Sequence, residues 1–152
     1  MLNLRGVSHP SLFKNLVQSV QLVSLQLLNL NYCFSEGKIQ KEARFLPSNF
    51  PQLKEIFFRG NHIRSLTLFT ALSKLKLLDL AQNKINRINE AEFPENLVVL
   101  NVIDNNLIYD QKTLKALSMI KIVNPDDICR ISCFQNFRQL ALGDPADYKT
   151  NS

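Results

Sequence analysis

The chain has 152 residues, 45% hydrophobic and 20% charged, which excludes a sequence too polar to fold and leaves enough length for a substantial core. Four glycines and six prolines exclude collagen-like and low-complexity chains, and the longest unbroken apolar run, residues 97–100, excludes a membrane-spanning helix. The net charge of +5 is gathered early, with seven Lys and Arg against three Asp and Glu in residues 1–60, a balance that suits an acidic partner or plain solvent.

In chain order, residues 1–5 carry no apolar h-region, so no secretory signal is predicted. Leu2-x-Leu4 reads as the tail of a repeat's strand. Ser11 caps a predicted helix over 12–20, where Leu12, Phe13, Leu16, Val17 and Val20 follow helical spacing. Next comes Leu25-x-x-Leu28-x-Leu30-x-x-Cys33. An insertion at 34–50 has good helix formers after Gly37 and predicts a convex helix packed through Ile39, Ala43 and Phe45. Pro47, Pro51 and Pro94 punctuate the segments before strands.

The same apolar pattern then recurs as Leu53-x-x-Ile56-x-Phe58-x-x-Asn61, Leu75-x-x-Leu78-x-Leu80-x-x-Asn83 and Leu97-x-x-Leu100-x-Val102-x-x-Asn105, with starts 22 residues apart. Residues 112–117 form a short amphipathic turn. Two more apolar triplets follow, Leu117-x-x-Ile120-x-Ile122 and Phe137-x-x-Leu140-x-Leu142, with Pro125 and Pro145 in the Asn slot.

Alternation by two puts Leu78 and Leu80 on one face of a short strand. Strands of successive repeats stack in parallel and bury these pairs, which no repeat does alone. Asn61, Asn83 and Asn105 predict a structural ladder, each amide satisfying the backbone of a sharp turn; Cys33 takes the same slot as a weaker donor. The pattern resembles the leucine-rich repeat family over about residues 22–145. The period and the continuation Asn61-x-Ile63-x-x-Leu66 and Asn83-x-Ile85-x-x-Ile88 resemble its SDS22-like subclass, which implies an intracellular protein; Asp110 departs from that pattern in the third copy.

The resemblance implies an α/β fold, a right-handed solenoid of about six repeats with parallel strands on the concave face and helices or irregular segments on the convex one. It predicts one domain, residues 1–152: a helical or partial repeat over 1–24, repeats over 25–145, and a loose tail over 146–152. The closing residues, Leu140-x-Leu142-x-Asp144-Pro145-x-x-Tyr148-x-x-Asn151, are similar to the last repeats of long, cilium-associated leucine-rich-repeat proteins.

Sequence motifs for catalysis are lacking: there is no phosphate-binding glycine loop, dinucleotide fingerprint or nucleophile elbow. His9 and His62 have no partner at metal or triad spacing, and Asp126-Asp127 reads as a turn. Cys33, Cys129 and Cys133 are an odd set without a C-x-x-C, which fits a reducing compartment, and Cys129-x-x-x-Cys133 lacks further ligands for a metal. The expectation is a cytoplasmic non-enzyme with no cofactor and no metal, extended by the ciliary likeness to cilium or cytoskeleton.

Binding has more support. The slots between the buried positions face the concave side, and from register they give Leu27, Glu55, Leu77, Val99 and Met119, then Asn29, Phe57, Asp79, Asn101 and Lys121, then Arg59 and Ile103, with Tyr32 beside them. An apolar stripe rimmed by mixed charge is the anatomy of a protein interface. The predicted function is a non-catalytic protein-protein interaction module, a scaffold or regulatory subunit holding a protein partner there, as a monomer or within a larger complex. The tail over 146–152 is the alternative cover for the stripe. The alternatives in function are an adaptor beside RNA, against which the mixed charge argues, and a truncated isoform of a larger ciliary protein; no membrane is involved.

Overall fold

The computed structural model describes residues 1–6, 15, 23–34 and 46–123. The rest of the predicted helix over 12–20, the insertion helix, Cys129, Cys133, the unit starting at Phe137 and the tail lie outside the described residues. Six short strands, β1 (Leu2–Asn3), β2 (Leu27–Asn29), β3 (Glu55–Phe57), β4 (Leu77–Asp79), β5 (Val99–Asn101) and β6 (Ile122–Val123), form one parallel sheet in chain order. Leu2, Leu28, Ile56, Leu78, Leu100 and Val123 stand in one row across it. Each repeat thus adds one strand, and Leu2-x-Leu4 supplies the first.

The inward positions form the main core. Leu28, Ile56, Leu78 and Leu100 lie on the strands, and Leu30, Phe58, Leu80 and Val102 follow two residues on; all are buried. Ile63, Leu66, Phe69, Ile85 and Ile88 close the core from the return segments, and the Phe58 and Phe69 rings meet edge-on at 5.5 Å. Each such side chain stabilises by about 1.5–3 kcal/mol on full burial, and only stacking supplies the facing surface. From the insertion, the short helix α1 (Leu46–Asn49) contributes Leu46, and Phe50 follows it; both are fully buried. Pro47 stands in that helix's first turn, where a missing N–H costs nothing.

The turns after the strands are cross-linked by side-chain amides. Asn83 Oδ1 accepts from the backbone N–H groups of Asn61 (3.0 Å) and Ile63 (2.9 Å), and its Nδ2 donates to the carbonyls of Phe58, Leu80 and Ala81. Asn61 accepts from the Cys33 and Phe34 amides and donates to Leu30 O and Arg59 O. Asn105 accepts from the Ile85 amide and donates to Leu80 O and Val102 O. Cys33 has only a thiol to offer, which donates to Leu4 O at 2.9 Å.

The residue immediately before each of these turn residues has a positive φ: Tyr32, Gly60, Gln82 and Asp104. Gly60 is required for a second reason. A Cβ there would collide with the Tyr32 ring, which lies across it to donate to Gln82 Oε1 at 2.7 Å.

The last described repeat corrects the predicted register. The helix α2 (Gln111–Ser118) is started by Asp110, whose side chain accepts from Thr113 N at 2.8 Å. It absorbs Leu117, and the strand that follows pairs Val99 with Ile122. The interval to the next row is therefore 23 residues, from Leu100 to Val123. Met119 becomes the helix C-cap, exposed and off the sheet, and Ile122 takes its predicted slot; Lys121 is exposed just before β6.

Candidate functional site

The sheet face turned away from the main core carries most of the predicted residues. Leu27, Glu55, Leu77 and Val99 stand side by side across β2 to β5, and Asn29, Phe57, Asp79 and Asn101 form the parallel row. The predicted apolar stripe is not an exposed patch, however. Phe57, Leu77 and Val99 make a second buried cluster with Leu27, Val98 and Ile122, and Leu77 and Val99 are 0% exposed. Adjacent strands lie about 4.8 Å apart, so same-slot side chains pack on one another. Ile103 (38%) and Tyr32 (41%) remain exposed.

Polar side chains in the second row have a local task that the sequence reading missed. The Oδ1 atoms of Asn3, Asn29, Asp79 and Asn101 each accept from the backbone N–H two residues on, at Arg5, Asn31, Ala81 and Ile103. Phe57 occupies this slot in β3 and has no oxygen. There the Arg59 amide is taken instead by Asn31 Oδ1 of the neighbouring turn, at 2.8 Å. The signal was present as Asn or Asp recurring at a fixed slot, since these residues close such turns through their side chains.

Two carboxylates are buried on this face. Asp79 sits 3.7 Å from Arg59 Nε. Burial raises its proton affinity, opposed by the Ala81 N–H, Arg59 and Asn101. Glu55 is 2% exposed between Leu27 and Leu77, and neither of its oxygens has a hydrogen-bond partner. Burial alone pushes its carboxyl up to about 7.

Beside the buried cluster the face opens into a cleft of roughly 190 Å³ over β1 to β4. Leu27 and Phe57 give it apolar surface; Asn3, Asn29, Asn31, Arg5, Arg59, Tyr32 and Asp79 line the remainder with Met1. The Arg5 guanidinium lies 5.8 Å from the centre of the Tyr32 ring. Of the predicted set, then, Leu27, Asn29, Tyr32, Phe57, Arg59 and Asp79 come together in one open site, whereas Met119 and Lys121 do not join it.

No family model matches the chain. A stretch of 73 residues is 37% identical to immunoglobulin domain and leucine-rich repeat-containing protein 2 of Caenorhabditis elegans, covering 48% of this chain and 9% of that protein. Among solved structures, the TLR13 chain of the TLR13-ssRNA13 complex superposes with a TM-score of 0.56 at 25% identity, over 80% of this chain and 17% of that one. An internalin, InlF of Listeria monocytogenes, aligns over 68% of this chain and 48% of its own with a TM-score of 0.32 and 18% identity. This chain therefore spans only a small part of the first two proteins. One strand per repeat, an amide-bonded turn after each central strand and the TLR13 likeness identify the fold as a leucine-rich-repeat solenoid.

Proposed function

We propose that this chain is a protein-interaction module that holds a segment of a protein partner in the open cleft of its concave face. The observation that carries the reading is the cleft itself, where Leu27 and Phe57 are flanked by polar and charged groups. Apolar surface inside a polar rim is how protein interfaces are built. The 22-residue period supports an SDS22-like scaffold or regulatory subunit in the cytoplasm, and the closing residues 140–151 support a ciliary setting.

The test is affinity capture from cell lysate with the wild-type chain and a Leu27→Arg variant of matched circular dichroism. Leu27 is half-buried at the cleft, so arginine there fills it without entering the main core. A partner recovered by the wild type and lost from the variant is the expected outcome. Equal recovery by both moves the interface elsewhere.

RNA is the second reading, favoured by the TLR13 chain having been solved with ssRNA13. The cleft is lined by two cations, Arg5 and Arg59, which opposes it, since a polyanion is held by a row of cations that replaces its counterions. Binding of single-stranded RNA that weakens steeply with salt would favour this reading.

A further inference from the structure

We infer that the cleft over β1 to β4 recognises a carboxylate, supplied by an Asp or Glu side chain next to an apolar residue of the bound protein segment. This inference rests on the protein-interaction reading and names the chemistry of the partner.

It starts from which polar atoms are already used. Asn3, Asn29 and Asn31 each point a side-chain oxygen at a backbone N–H, of Arg5, Asn31 and Arg59. A backbone N–H only donates, so the oxygen must face it, and each NH2 is left on the other side of its amide. None of those three NH2 groups has a hydrogen bond among the described residues. The Asp79 carboxylate is occupied by the Ala81 amide and the Arg59 ion pair. Tyr32 spends its hydroxyl hydrogen on Gln82.

What the cleft still offers is donors. Three carboxamide NH2 groups line it together with the guanidiniums of Arg5 and Arg59. Two cations against one engaged carboxylate leave the cleft positive. A compact acceptor with negative charge satisfies such a set, and charge-assisted hydrogen bonds to a carboxylate are the strong ones. Leu27 and Phe57 beside these donors call for an apolar neighbour in the same segment. An RNA phosphate shares the charge, but two arginines in one cleft do not make the row of cations that a polyanion follows.

The experiment uses the full chain and fluorescent peptides matched in length, with Glu-Leu, Gln-Leu or Lys-Leu at the centre, and a single-stranded oligouridine. Anisotropy should show the Glu-Leu peptide binding at least tenfold more tightly than the other two. The variant Asn29→Asp with Asn31→Asp keeps the oxygens that the turns need and replaces both NH2 donors. It should melt with the wild type and lose at least tenfold in affinity for the Glu-Leu peptide; Arg5→Gln, at an exposed position, should weaken it as well.

Equal binding of the three peptides, no binding of any, or undiminished binding by the folded Asn-to-Asp variant overturns the inference. Preference for oligouridine over every peptide overturns it in favour of nucleic acid. If lysate capture still depends on Leu27 while the peptides fail, the protein-interaction reading stands and only the carboxylate chemistry falls.

Discussion

Glu55 sits where burial works against stability. Its slot holds Leu27, Leu77 and Val99 on the other strands, and a carboxyl there has no partner for either oxygen. Below pH 4.5 it carries a proton in both the folded and unfolded chain. Between 4.5 and about 7 the unfolded chain releases that proton and the folded one keeps it, so stability falls as pH rises and levels off above about 7. Glu55→Gln should remove this slope. Urea denaturation at pH 5 and pH 8 should show the variant gaining on the wild type at the higher pH, by at most about 2–3 kcal/mol. Asp79 has the same sign and is present in both proteins, so the difference between them isolates Glu55. An unchanged difference at the two pH values would mean that Glu55 ionises freely in the folded chain.

At the scale of elements, the ladder shows what one side chain does for a turn. Asn83 receives two backbone N–H groups and donates to three carbonyls. Alanine there would strand buried donors, each costing about 1–3 kcal/mol. Asn83→Ala should therefore lose about 3 kcal/mol or more in chemical denaturation, and Cys33→Ala about 1 kcal/mol, since its thiol makes far weaker bonds. Equal losses would show that the amide bonds do not set turn stability.

These turns were legible because three copies held Asn at one spacing, which fixed strand positions and inward faces at once. The sixth strand was misplaced because apolar spacing alone could not choose between the triplet starting at Leu117 and the row at Val123. Asp110 decided it by capping α2, and the helix consumed Leu117 before the strand began. The concave residues were legible by position but not by exposure. Slot counting gives the direction of a side chain and says nothing of how closely Phe57, Leu77 and Val99 pack once the strands are laid side by side. The cleft's donor character was hidden for a different reason, since it depends on which end of each Asn amide the backbone claims.

Among the described residues, every strand pairs with its chain neighbours, from β1 to β6, and no pairing skips a repeat. Stability in such a coil is close to a sum of repeat and nearest-neighbour terms. Damage should then spread by adjacency. In native-state hydrogen exchange, the amides of β2 to β5 should be slower than those of β1 and β6, since each of these four strands is bonded on both sides. The Asn61 and Ile63 amides, held by Asn83, should share that protection. Asn83→Ala should speed exchange by roughly a hundredfold at those two amides and across β3 and β4, with little change in β1. Cys33→Ala should do the reverse, loosening β1 and β2 through the lost bond to Leu4 O and leaving β5 protected. Uniform acceleration along the whole sheet in both variants would show that the repeats unfold only as one unit, and that coupling between them exceeds the local cost of either turn.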